Sequence, residues 1–368
     1  MQAKLCEMKK RNYQIDILKF FCAILVLICH VPVNPACQYF TEERTTVFGW
    51  MSVQIFFAVS GFFMVQGVLN KNLVPDDAGR FSLNYVINKF KRIVPQYIIA
   101  TLMIVAMYMY ICNTDLSYSK RGIQPFDLVI RAIPELFGVI QSGIDIRYNW
   151  PVWYISALLI SMLPLVYFLV KNKDFFIYIF SPLATLLGVG FMYGQGDAVF
   201  AMYREWYGFI MGGVIRAVSS LCMGVVAHLI YEKFSSVREG RYTKILFTLA
   251  EVLIGLVFFG AWLINPISRD TLFSVLLLLP ILLAIIFSGK SYISCLFKFK
   301  CLRFAGPLSL AIYLNHYAAV LVVSALISEK SYFSYVILTV VLTAVFATAN
   351  FITVKIIKQI FNRLKEKN

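Results

Sequence analysis

Charge is what this chain has least of. Asp, Glu, Lys and Arg make up 14% of its 368 residues, whereas a soluble globular chain carries about 25%. Such a chain cannot cover a water-facing surface of matching size. Hydrophobic residues fill the gap at 60%, and mean hydropathy is +0.75. No stretch longer than about forty residues lacks a membrane-length apolar run, so no separate soluble domain is expected. The whole of 1–368 is therefore read as one integral membrane domain. Histidine is scarcer still, with three in the chain: His30, His228 and His316. The eight cysteines form no CxxC and show no metal-ligand spacing, so no metal site is expected. Cys37 and Cys112 could both face outward and pair. Gly-rich phosphate loops, internal repeats and low-complexity tracts are absent. The first apolar run is long, carries internal charge and is followed by no clean small-x-small site, so it is expected to stay as a span and not be cleaved.

What is present is a series of apolar runs about twenty residues long, the length of a bilayer-crossing helix. They predict an all-α, polytopic bundle of ten spans at 13–33, 47–69, 93–112, 151–170, 175–193, 208–231, 245–264, 271–289, 307–327 and 333–354. Phe126–Val139 is apolar but short and carries Asp127, Arg131, Pro134 and Glu135, so it reads as an interfacial or re-entrant piece. With the N-terminus inside, 24 lysines and arginines fall on inner segments and 8 on outer ones, with Lys19 and Arg216 inside spans. Basic residues concentrate on cytoplasmic loops. The expected protein is thus a multi-pass cell-membrane protein with both termini cytoplasmic. The net charge of +15 is accounted for at the inner surface, so no nucleic-acid partner is inferred.

Ionisable residues inside the spans are the candidates for chemistry, because a charge at mid-bilayer costs about 2.5–3.5 kcal/mol on insertion scales. Lys19 and His30 lie eleven residues apart in the first span. That spacing is about three helical turns, placing them on one face and roughly 16–17 Å apart. Two readings fit Lys19: a functional cation, or a lysine snorkelling to the interface. Cys29 and His30 are neighbours in sequence, but adjacent helix positions diverge by about 100° and do not form a dyad. Asp16 is too far from His30 to orient it, about 21 Å along the axis, and at i+3 it pairs more naturally with Lys19. Arg216 and Glu251 are further intramembrane ionisables that could pair with each other or line a path.

Five stretches carry a resemblance. Tyr13-Gln14-Ile15-Asp16-Ile17-Leu18-Lys19-Phe20-Phe21 followed by His30 resembles the opening of the acyltransferase family 3 membrane proteins, whose first helix has an arginine, ten residues and a histidine. Phe56-Phe57-Ala58-Val59-Ser60-Gly61-Phe62-Phe63 resembles the family's second-helix FFxxSGF motif. Lys89-Phe90-Lys91-Arg92-Ile93-Val94-Pro95 resembles its basic segment before the third span. Trp150-Pro151-Val152-Trp153-Tyr154-Ile155-Ser156 and Leu308-Ser309-Leu310-Ala311-Ile312-Tyr313-Leu314-Asn315-His316 resemble two later motifs. Lysine replaces arginine at Lys19 and Lys89, keeping the charge but losing the fork of donors. Ala157-Leu158-Leu159 stand where many glycan-modifying members carry a glutamate.

The resemblance implies a transferase that moves an acyl group, acetyl in the usual case, from cytoplasmic acyl-CoA to a hydroxyl of an extracytoplasmic glycan, lipid or small molecule, as in O-acetylation of cell-envelope polysaccharides. Acyl transfer to a hydroxyl needs a general base, and histidine suits that work at neutral pH. His30 is the expected base, and Lys19, Lys89, Arg92 and Ser60 the expected donor-binding residues. Lys89 and Arg92 also read as positive-inside anchors, and Ser60-Gly61 as a close helix-packing site. Trp150 and Trp153 read either as acceptor-stacking side chains or as an interfacial aromatic belt. His316 could orient substrate or satisfy a helix–helix hydrogen bond, and His228 reads as structural. An exporter or secondary transporter is the alternative that buried charges would also fit.

Overall fold

The computed structural model describes residues 11–32, 42–71, 73–114, 125–144, 148–196, 202–203, 205–263, 269–326 and 331–366. In hydrocarbon every backbone N–H and C=O must find its partner inside its own segment, so apolar runs become helices. They are α1 (Tyr13–His30), α2 (Glu42–Leu69), α3 (Ala78–Thr114), α4 (Trp153–Lys171), α5 (Lys173–Gly194), α6 (Gly212–Ser236), α7 (Arg241–Leu263), α8 (Arg269–Leu277), α9 (Leu279–Ser288), α10 (Ala305–Leu326) and α11 (Tyr332–Glu366). Among the described residues nine helical segments are long and apolar enough to cross a membrane. The tenth expected span, 245–264, is the 23-residue α7, which carries Lys244 and Glu251. The protein is an all-α, polytopic membrane protein.

Local chemistry sets the ends. The Asn12 side chain caps α1 by accepting from the Gln14 and Ile15 N–H groups, and its amide donates to the Ile286 carbonyl of α9 at 2.9 Å. Gly289 ends α9 at φ +66°, a left-handed backbone that glycine adopts without Cβ strain. Pro280 divides the expected span 271–289 into α8 and α9, since proline removes an N–H and its ring crowds the preceding turn. In α5 a wide turn over Phe176–Phe180 precedes Pro182 and absorbs the same conflict.

Two expected boundaries are corrected. The third span does not begin at residue 93, because α3 runs unbroken from Ala78 through Arg80, Lys89 and Arg92 and on past Pro95. Polar residues between Arg80 and Arg92 supply no breaker, so the helix continues. The sixth span, read as 208–231, starts at Gly212, and the residues before it form a hairpin pairing Trp206 with Met211 and Tyr207 with Ile210. Gly208 at φ +72° opens its two-residue turn, as a turn matched to strand twist requires.

The interior is built on α2 and α6, the two most buried spans. A Cβ on Gly61 would lie 2.0 Å from the Leu221 carbonyl oxygen, and one on Gly224 would lie 2.0 Å from that of Ala58. The two backbones therefore touch, as small residues permit between membrane helices. This bears out the packing reading of Ser60-Gly61 at Gly61. α1 and α10 pack against each other, α1 also against α2, and α11 lies outside α10 with much of its surface exposed.

Candidate active site

His30 occupies the last turn of α1 and His316 the middle of α10. The packing of these helices brings the rings to 5.0 Å between centroids. His30 Nδ1 lies 2.8 Å from the Val26 carbonyl oxygen and 3.3 Å from His316 Nε2. His316 Nδ1 lies 3.1 Å from the Ile312 carbonyl oxygen. A carbonyl only accepts, so each Nδ1 carries the proton in the neutral pair. His316 Nε2 is then an acceptor for the His30 Nδ1–H, and the lone pair of His30 falls on Nε2. Behind His316, the Asn350 amide donates to the Asn315 side-chain oxygen at 3.1 Å and to the Gln96 carbonyl at 2.9 Å, joining α10, α11 and α3.

His30 forms part of the wall of a cavity of about 390 Å³, within the range of about 300–1,000 Å³ for small-molecule sites. Six aromatic residues line it as well: Trp50, Trp150, Trp153, Tyr203, Tyr313 and Tyr317. Tyr203 stacks on Trp153 at 5.1 Å, and Tyr317 meets His30 edge-on at 5.8 Å. Trp150 and Trp153 are thus at the cavity. His316 touches His30 and forms a helix–helix hydrogen bond, one of the two readings left open for it.

Glu135 holds the segment that delivers Trp150. It is wholly buried, and its carboxylate accepts from the Tyr148 N–H at 2.7 Å, the Asn149 N–H at 3.1 Å and the Thr101 hydroxyl at 3.1 Å. The Asn149 amide then donates to the Leu314 carbonyl on α10, two residues before His316. The piece read as interfacial or re-entrant forms two short helices, Pro125–Arg131 and Ile133–Leu136. Sequence reasoning gave Glu135 no role. Its one signal was an acid inside an apolar stretch.

Arg216 is the second residue outside the sequence-based site. It lines the cavity, is 2% exposed, and donates from Nη2 to the Trp50 carbonyl at 2.9 Å. It does not pair with Glu251, whose carboxylate accepts from Gln14 on α1.

Lys19 sits at the other end of α1 from His30. Its Nζ lies 3.2 Å from Asp16 Oδ1, the expected i+3 pair, and Arg11 Nε lies 2.5 Å from Asp16 Oδ2. Lys89 lies close enough to Lys19 and Arg92 to feel both charges. None of the three lines the cavity. Ser60 is linked to the cavity: its hydroxyl is 3.5 Å from the Tyr154 hydroxyl, and the Tyr154 ring meets the cavity residue Tyr313 at 5.6 Å. His228 is enclosed by Phe62 and Tyr231, in keeping with a structural role. Cys37 and the Cys112 side chain lie outside the described residues.

A family model described as an acyltransferase domain matches residues 12–353, nearly the whole chain. No curated protein and no solved structure matches it.

Proposed function

The chain belongs to this acyltransferase family, and we propose that it moves an acyl group, acetyl in the simplest case, from a cytoplasmic coenzyme A thioester to a hydroxyl of an acceptor in the aromatic cavity. A glycan is the acceptor class that a cavity lined by three tryptophans suits best. The observation that carries the reading is His30, whose Nδ1 is engaged and whose Nε2 is left as a base at the cavity wall.

His30 Nε2 takes the acceptor hydroxyl proton as that oxygen attacks the thioester carbonyl. The tetrahedral intermediate collapses to the ester, and coenzyme A leaves as its thiol, taking the proton back from the imidazolium. Val26 O and His316 Nε2 both accept from Nδ1–H, holding the ring in place and favouring its charged state in the transition state. Lys19, Lys89 and Arg92 gather the coenzyme A phosphates at the opposite end of α1, and the pantetheine arm passes Ser60 and Tyr154. Helix geometry supports this, since eleven residues of α1 span about 16 Å.

The test is steady-state kinetics on protein purified into lipid nanodiscs, with acyl-CoA as donor. His30→Ala should lower kcat by about 10²–10⁴-fold, the usual contribution of a positioned base, with unchanged insertion and yield. In the same assay Lys19→Ala should raise the acyl-CoA KM, and Lys19→Arg should restore it. Wild-type turnover in folded His30→Ala protein overturns the assignment.

A further inference from the structure

Arg216 is buried near the start of α6, and no carboxylate among the described residues pairs with it. Its guanidinium carbon lies 5.1 Å from the Trp50 ring centroid and 5.2 Å from that of Trp153. Nη2 donates to the Trp50 carbonyl, while Nε, also buried, has no hydrogen-bond partner. Among the described residues no Asp or Glu forms an ion pair with it. A desolvated guanidinium without a counter-ion is expensive, and two indole faces offset only part of that cost. The same side chain lines the cavity that holds His30. Here the missing partner is a ligand group, and the Arg216 side chain lines the place where it would sit.

We propose that Arg216 recognises an anionic group on the acceptor, so that the acceptor is an acidic sugar or a related molecule bearing a carboxylate or phosphate near the hydroxyl to be acylated. The inference rests on the reading of the cavity as the acceptor site. Trp150 and Trp153 belong to the aromatic wall against which the sugar would pack, and Arg216 fixes its orientation by pairing with the charged substituent. Guanidinium donors match both carboxylate and phosphate oxygens. A neutral acceptor would leave the cation unpaired and so bind less well.

The binding test needs no acyl-CoA, so its failure is separable from failure of the transfer reaction. Three of the five tryptophans line the cavity, and intrinsic fluorescence reports their surroundings. Purified protein in nanodiscs is titrated with glucuronate, glucose 6-phosphate and glucose at constant ionic strength. A saturable change with either charged sugar and a response at least about tenfold weaker with glucose is expected, since hydrogen bonds to charged groups are worth more than neutral ones. The carboxylate and phosphate arms identify which anion is taken. Arg216→Gln should weaken the charged ligand by about tenfold or more, and Arg216→Lys should recover part of it. Equal responses to glucose and the charged sugars, or no saturable response at all, overturn the proposal. So does an anion response unchanged in Arg216→Gln. Loss of acceptor-free acyl-CoA hydrolysis in that variant, with the anion response intact, would instead put Arg216 on the thioester carbonyl.

Discussion

His316 gains its meaning from a single contact. On α10 alone it is a histidine inside a span, but at 3.3 Å from His30 Nδ1 it is a second acceptor, beside the Val26 carbonyl, for the proton on that nitrogen. His316→Ala should lower kcat by about 10²-fold, the cost of misplacing a reacting group by an ångström or so, while the acyl-CoA KM stays near wild type. His316→Gln should recover part of kcat, because an amide oxygen can also accept from Nδ1–H. Steady-state kinetics with a pH profile would check both. An unchanged kcat in His316→Ala would reduce the residue to helix packing. His30 was legible in the sequence because a rare ionisable residue stood in register with Lys19. Arg216 was visible only as an intramembrane charge, and its distance from Glu251 could not be read from two separate spans.

At the scale of elements, the contact between α2 and α6 fixes the cavity. α2 contributes Trp50 and Val53, and α6 contributes Arg216. Gly61 and Gly224 let the two backbones touch two turns or more away from those side chains. Gly224→Leu would drive a branched side chain into the Ala58 carbonyl. Overpacking commonly costs about 1–3 kcal/mol, and a backbone obstacle cannot move aside as a side chain does. The expected outcome is a lower melting temperature in detergent and a loss of monodisperse protein. Gly255→Leu on α7 is the control, since nothing lies within 4 Å of a Cβ there, and it should leave the melting temperature near wild type. Equal melting temperatures would show that the α2–α6 contact is not tight. The FFxxSGF-like stretch marked this place in the sequence, but the partner helix was not identifiable from it.

At the scale of the molecule, α1 links two ends with different chemistry. One end carries Lys19 near Lys89 and Arg92, and the other carries His30 in the aromatic cavity. The excess of basic residues predicts that the Lys19 end faces the cytoplasm. On a cysteine-free background, a cysteine at Ser119 should then react with an impermeant maleimide in intact cells, and one at Ser236 only after permeabilisation. The opposite pattern would reverse the orientation and the proposed direction of transfer with it.

Composition and the spacing of apolar runs determined the class of this protein. A chain with so little charge and so many twenty-residue runs has no stable alternative to a bundle of membrane helices, because each helix satisfies its own backbone. Spacing within one helix also fixed the Lys19–His30 axis and the Asp16–Lys19 pair, since helical geometry is local. Tertiary structure alone decided which helices meet. It paired His30 with His316 across 286 residues, placed a carbonyl and two indoles around Arg216, and buried Glu135 behind Trp150. Lipid-facing and protein-facing sides of an apolar helix look alike in sequence, so these meetings depend on small-residue packing and on polar groups finding one another in the folded bundle.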